Sequence, residues 1–338
     1  MNAMPFAPLA ETTRGGTTES IHYGAVAVVN TRGELLYQAG DPHFMTFTRS
    51  TIKPFQALPF MLGDGPARFG YTRRELALLC ASHSGEAMHV ETAQSMLNKA
   101  GCDEHHLRCG CHVPMYYPTT DQTPPADAAF NQLHNNCSGK HAGFVAYCVQ
   151  HGHALDTYID PAHPLQQAVS ARVAQVAGVQ ESDMKMGIDG CSAPNFALPL
   201  ARLAYTYARL AQGGRDPEFG SALGDLFDAM TSHPELVSGT KRSDLAFMQT
   251  APGDWVAKIG AEAVQVIGIR SAGIGIALKV ADGNTRALFP ATVAVLRQIG
   301  VLNKTEGTPL ASWEKPPQMN ARGLQVGDVR ATLALQRA

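Results

Sequence analysis

Short runs dense in apolar and β-branched residues lie near the start of the chain: HYGAVAVV at 22–29 and ELLYQ at 34–38, separated by Asn30-Thr31-Arg32-Gly33. Strand formers on either side of a polar, glycine-ended quartet predict a β-hairpin. From Thr72 the interval between apolar positions lengthens to three and four. Thr72 and Glu75 stand at the capping-box spacing just ahead of ELALLC, which predicts a helix start. A second helix is predicted over 86–100, with Met88, Ala93, Met96, Leu97 and Ala100 near one face and Gly101 as its stop. The Pro- and Thr-rich stretch 114–126 reads as a loop.

Helical spacing returns at 140–150, 164–177, 195–211 and 217–230. In 195–211, Phe196, Leu200, Leu203, Tyr207 and Leu210 form a stripe suited to core packing. Strand patterns then reappear as WVAKIG, AVQVIGIR and GIGIALKV, the last turning at Asp282-Gly283-Asn284, before an amphipathic segment at 290–299. No internal repeat is present. Strands at both ends and helices between them predict an α+β fold with a mainly antiparallel sheet. On this reading 20–48 and 252–302 form the sheet subdomain, 49–251 the mainly helical one, and 1–19 and 303–338 flanking tails. Catalytic groups would gather at the seam between the two.

Composition narrows the class. A chain of 338 residues is ample for a large core, and 45% hydrophobic with 17% charged residues excludes a disordered one. With 27 Lys+Arg against 29 Asp+Glu, a net charge of −2, and no long block of one sign, a nucleic-acid partner is not expected. No run approaches the roughly 20 apolar residues of a membrane span, and the first twenty residues lack the basic and apolar regions of an export signal. A cytoplasmic protein is therefore expected. Its seven cysteines, odd in number, read as free thiols, a metal site or both.

The sharpest chemical signal is Ser50-Thr51-Ile52-Lys53, an S-x-x-K that places amine and hydroxyl on one face of a helical turn. A serine needs a base, and a lysine serves as one only when burial or nearby cations lower its pKa. Pro54 fits if the helix begins near Thr51. Two further blocks, Ser82-His83-Ser84 and Lys258-Ile259-Gly260, follow in the order that penicillin-recognising serine enzymes use for S-x-x-K, S-D-N and K-T-G. Lys258 beside Ser82 would make a second Ser–Lys pair.

Cys137 in HNNCSGKH and Cys191 in GIDGCSAP each precede a helical pattern, where a thiolate is favoured and a borderline-soft cation can bind. Lys140 and His141 offer a nitrogen ligand, and the generic preference is for His141, because lysine ligates only when neutral. The C-x-C-H cluster of Cys102, Cys109, Cys111 and His112 lacks paired zinc spacing and reads as core or incidental. For an amino-acid substrate, Arg49 suits an α-carboxylate and Asp189 an α-ammonium.

Five blocks, RSTIKPFQALPF, CASHSGE, HNNCSGKHAG, GIDGCSAPNFALPL and VAKIGAE, resemble the asparaginase II family, the rhizobial-type L-asparaginases, in family order across about 20–300. The resemblance implies a serine β-lactamase/glutaminase-like fold and hydrolysis of L-asparagine to L-aspartate and ammonia. It implies Ser50 with Lys53 and Ser82 with Lys258 as two Ser–Lys pairs. It also implies zinc on Cys137, Lys140 and Cys191 aiding substrate binding, support from Arg49, His141 and Asp189, and a homodimer. Lys140 as the third ligand comes from the resemblance alone. The block reads GAEA where the family has a GAEG-like loop, so Ala263 departs from the pattern. Which serine attacks stays open. A glutaminase or broader amidase on the same fold is the nearest rival, and a non-catalytic zinc- or thiol-dependent amino-acid sensor is the rival of a different class.

Overall fold

A computed structural model describes residues 5–338. Twelve strands run in chain order: β1 (Ala7–Arg14), β2 (Thr17–Asn30), β3 (Leu35–Ala39), β4 (Met45–Phe47), β5 (Lys185–Ile188), β6 (Pro194–Pro199), β7 (Trp255–Gly260), β8 (Val264–Ile269), β9 (Ile274–Val280), β10 (Pro317–Met319), β11 (Gln325–Ala331) and β12 (Gln336–Arg337). The main antiparallel sheet has the order β10-β11-β1-β2-β9-β8-β7, with β3 pairing β2 and β12. The 14-residue β2 is long enough to take β1 along its first half and β3 along its second on one side, with β9 on the other. The α+β architecture read from the sequence is present, with helices inserted between the two sheet-forming ends.

The 22–29 and 34–38 runs form the expected hairpin, with Gly33 at φ +77° closing its turn. Thr72 and Glu75 form a reciprocal capping box at the start of the Arg73–Leu79 helix, and Gly101 ends the Ala87–Lys99 region at φ +69°. The Ser138–His151, Pro164–Ala177 and Gly220–Ser232 helices match the helical spacing closely.

Three expectations are corrected. Phe196 sits in β6, and the helix runs Leu200–Gln212, because Pro199 ends the strand and opens the helix. The predicted 114–126 loop contains a short helix, Tyr116–Thr120. The segments read as tails carry β1, β10, β11 and β12, short half-exposed strands whose polar alternation hid them, and β1 pairs with β11 in the main sheet.

Strands β8 and β9 are buried on both faces. On one face lies the Leu200–Gln212 helix, so close that a Cβ at Gly275 would meet Ala204 O at 1.9 Å and one at Gly268 would meet Tyr207 O at 2.5 Å. Glycine at these two cross-strand partners is therefore a packing requirement. The Thr285–Gln298 helix packs on β1, β9 and β11. Side chains alternate along β7 and β8, so Lys258 and Gly260, opposite Val266 and Val264, fall on the face that bears Gly268. That is the face turned to the helical part of the chain, and it forms the floor of the seam. Among the described residues, no helix is long and apolar enough to cross a membrane.

Candidate active site

The S-x-x-K segment enters the seam as a 3₁₀ turn, Arg49–Ile52, followed by a helical turn, Lys53–Gln56, with Pro54 in its first turn. Arg49 adopts φ +50°, which costs a side-chain-bearing residue roughly 1–2 kcal/mol. The Asn195 side chain offsets that strain by clamping both backbone groups of Arg49. Its Oδ1 accepts from the Arg49 N–H at 3.0 Å and its Nδ2 donates to the Arg49 carbonyl at 3.0 Å. Tyr207 Oη donates to Thr51 O at 2.7 Å. A Cβ at Gly260 would lie 2.9 Å from Thr48 O and 3.2 Å from Arg49 Cβ, so the bare glycine lets β7 lie against the turn. Ser50 is half-buried at the mouth of the seam.

Lys53 is fully buried and donates to Ala81 O at 2.5 Å, Ser82 Oγ at 3.0 Å and Asn136 O at 3.3 Å. Three acceptors match the three protons of an ammonium. The expected pairing of Lys53 with Ser50 is thus not the hydrogen bond the structure holds. The Lys53 stem crosses the seam to Ser82, which follows the Arg73–Leu79 helix. Lys258, expected beside Ser82, instead donates to Asp244 Oδ2 at 3.3 Å and to Ile259 O at 3.1 Å. Both Lys258 and Asp244 are completely buried. Burial, with a smaller push from the Lys53 and Arg242 charges, lowers Lys258 to about 8, although Asp244 pulls the other way.

A second polar centre adjoins the first. Cys137 caps the Ser138–His151 helix, while Cys191 sits in the turn from β5 to β6, where Ser192 is held at φ +70°. Lys140 Nζ donates to Cys191 Sγ at 3.0 Å. A hydrogen bond from Cys137, aided by Lys140 and His141, outweighs burial and drives the Cys191 thiol far below its usual range. The same bond drives Cys137 up. Burial disfavours charge on Lys140, yet the two sulfurs and Asp189 win and raise it above its ordinary value. His141 Nδ1 is 2.7 Å from Tyr158 Oη, and its buried Nε2 has no partner. Two sulfurs with an amine nitrogen at hand, beside an orphaned imidazole nitrogen, are a donor set that fits a borderline-soft cation such as zinc. Among the described residues, no three His, Cys, Asp or Glu side chains form such a group, so the fit rests on Lys140 completing the pair of cysteines. Cys109 is buried and bonded to Gln132 O, and Cys111 is exposed.

Arg49 Nε meets Asp189 Oδ1 at 2.9 Å, which joins the two centres. Both line a cleft of about 480 Å³ with Phe47, Ile188, Asn195 and Glu262. Ala263, at φ +53°, holds the hairpin beyond β7 in a conformation that glycine would take at less cost. Sequence reasoning missed Asn195, Asn136, Asp244 and Tyr158. Asn195 lies within the GIDGCSAPN block, but no spacing rule flagged it. Asp244 reads in the sequence as an ordinary helix-start acid.

The family whose model this chain matches, carried on an α+β scaffold, makes the protein an amidohydrolase. The chain belongs to the L-asparaginase II family, whose model matches residues 10–331. No curated protein matches it. Among solved structures it is similar to a β-lactamase from Mycobacterium bovis, at 13% identity over 81% of this chain and 94% of that one, with a TM-score of 0.37. It is also similar to a penicillin-binding protein homologue from Caulobacter crescentus, at 14% identity over 80% and 92%, with a TM-score of 0.40.

Proposed function

We propose that the protein hydrolyses the side-chain amide of L-asparagine to L-aspartate and ammonia. The observation that carries this reading is the family match over 10–331, which spans every residue of both polar centres. The half-buried Ser50 is the nucleophile. It follows Arg49, which lines the cleft, and is only half-buried, whereas Ser82 is buried and engaged by Lys53. Neutral Lys258 takes the Ser50 proton as the Oγ–carbon bond forms, and backbone amides at the start of the turn and the free edge of β7 stabilise the oxyanion. The carbon–nitrogen bond then breaks. Lys258 returns its proton to the departing ammonia, and water hydrolyses the β-aspartyl ester. Lys53, charged and triply bonded, fixes Ser82 and adds a cation that keeps Lys258 readily deprotonated.

Arg49 positions the α-carboxylate. Its terminal nitrogens donate to no protein group among the described residues, since the bond to Asp189 uses Nε. Asp189 and His141 complete the binding side. Cys137, Lys140 and Cys191 would hold the zinc ion, which supplies fixed positive charge beside the cleft. The family reading carries with it a homodimer in the cytoplasm.

The test is ammonia release by zinc-loaded enzyme from L-asparagine, L-glutamine and N-acetyl-asparagine. Release chiefly from free asparagine is expected. Preference for glutamine would make the protein a glutaminase, since one methylene is worth only about 10–200-fold. Saturable asparagine binding with no release from any compound would make it a sensor.

A further inference from the structure

The fully buried carboxylate of Asp244 has no place in the reaction as described, yet it touches the amine that the reaction needs. It is the second residue of the Ser243–Thr250 helix, which packs on β7. Its Oδ2 accepts from Lys258 Nζ at 3.3 Å and from the Ile259 N–H at 3.0 Å, and its Oδ1 accepts from Gln265 Nε2 at 3.4 Å. One oxygen thus ties the lysine head to the backbone of its own strand, one residue before the glycine against which the Ser50 turn rests.

We propose that Asp244 is the positioning residue of the Lys258 proton carrier: it fixes where the amine lies and supplies the one anion that lets a buried lysine take up a proton. The proposal rests on the reading of Lys258 as proton acceptor.

Two cations and two neutral groups lie around the Asp244–Lys258 pair. Lys53, from the helical turn, and Arg242, just before the Asp244 helix, both oppose its charge. The Cys80 thiol, at the end of the Arg73–Leu79 helix, is pushed up to about 12 by burial and stays neutral. The Tyr207 hydroxyl, from the Leu200–Gln212 helix, is raised far by burial and stays neutral too. Against two cations and a closed site, Asp244 stands alone in favouring the protonated amine. Remove its charge and the lysine sheds its proton more readily, so it is neutral down to a lower pH but a poorer donor to the leaving group.

In the native protein kcat/KM falls below about pH 8, as Lys258 becomes protonated. In Asp244→Asn that acid limb moves to lower pH by about one unit or more, while the plateau rate drops at least about tenfold. Asp244→Glu keeps the charge, so it keeps the limb near its native position even where crowding lowers the plateau. A carboxylate that merely packs would lower the plateau in Asp244→Asn and leave the limb where it was. That result, or an upward shift, would overturn the proposal.

A readout independent of turnover is the Nζ resonance of Lys258 in ¹⁵N-lysine-labelled protein, identified by its loss in Lys258→Met. Titration near pH 8 in the native chain and lower in Asp244→Asn supports the proposal even if the enzyme proves inactive on asparagine. Titration at an ordinary lysine pH in the native chain contradicts it. Should Asp244→Asn fail to fold, Asp244→Glu and the native titration still decide, because the proposal requires both to retain a lowered Lys258.

Discussion

Two buried lysines, Lys258 and Lys140, stand at the two polar centres of one seam and are driven in opposite directions. Both are shut away from solvent, and burial alone would lower each. Lys258 faces one carboxylate and two cations, so burial prevails and its pKa falls to about 8. Lys140 faces two sulfurs, one of them strongly thiolate, and Asp189, so anions prevail and it rises. Identical side chains at similar depth thus acquire different chemistry from their neighbours. Oxygen and backbone acceptors make one centre suited to moving protons; sulfur and nitrogen donors make the other suited to gripping a cation. The Arg49–Asp189 ion pair spans the two.

The comparison breaks most visibly at Lys258. Lys258→Met should abolish turnover, by about 10³-fold or more, and leave Asp244 as an unpaired buried charge at a cost of about 3–5 kcal/mol. Adding Asp244→Leu should restore most of the stability without the activity. Urea unfolding beside ammonia release reads both, and recovery of turnover in the double variant would remove Lys258 from proton transfer.

At the sulfur centre, Cys191→Ser should strip bound zinc and raise KM for asparagine by at least about tenfold, with a smaller change in kcat. Metal content by atomic emission and steady-state kinetics check this. A kcat collapse matching that of Lys258→Met, at unchanged KM, would erase the division of labour drawn between the two centres. Between them, Asn195→Ala should unclamp Arg49 and cost about 1–3 kcal/mol, because it leaves two backbone groups without partners. Its kcat/KM should fall by about 10–100-fold through misplacement of Arg49 and Ser50. Gly260→Ala has the smallest expected effect on chemistry. The added methyl presses on Thr48 O, and about 1–3 kcal/mol of stability is lost by overpacking, measured as a lower urea midpoint.

Much of this layout is legible in the sequence because its signals are local. The capping box at Thr72 and Glu75, the hairpin around Asn30–Gly33 and strands β7, β8 and β9 follow from neighbouring residues. The blocks around Ser50, Ser82, Cys137 and Cys191 mark the segments that meet in the seam. What spacing cannot reveal is which partner each buried amine selects. Lys53 shares a helical face with Ser50, but a long buried side chain goes where acceptors are fullest, and those are Ala81 O, Ser82 Oγ and Asn136 O. Asp244 is 14 residues from Lys258 and Asn195 is 146 from Arg49, so neither contact leaves a periodic trace. The half-exposed strands of the two ends lack the apolar density that betrays β8 and β9.

The most direct test of the central claim is to quench the native enzyme during asparagine turnover and map any acyl adduct by peptide mass spectrometry. The account predicts a β-aspartyl group on the peptide carrying Ser50, absent in Ser50→Ala and accumulating where deacylation is slowed. An adduct on Ser82, or on the Cys137 or Cys191 peptide instead, would contradict it.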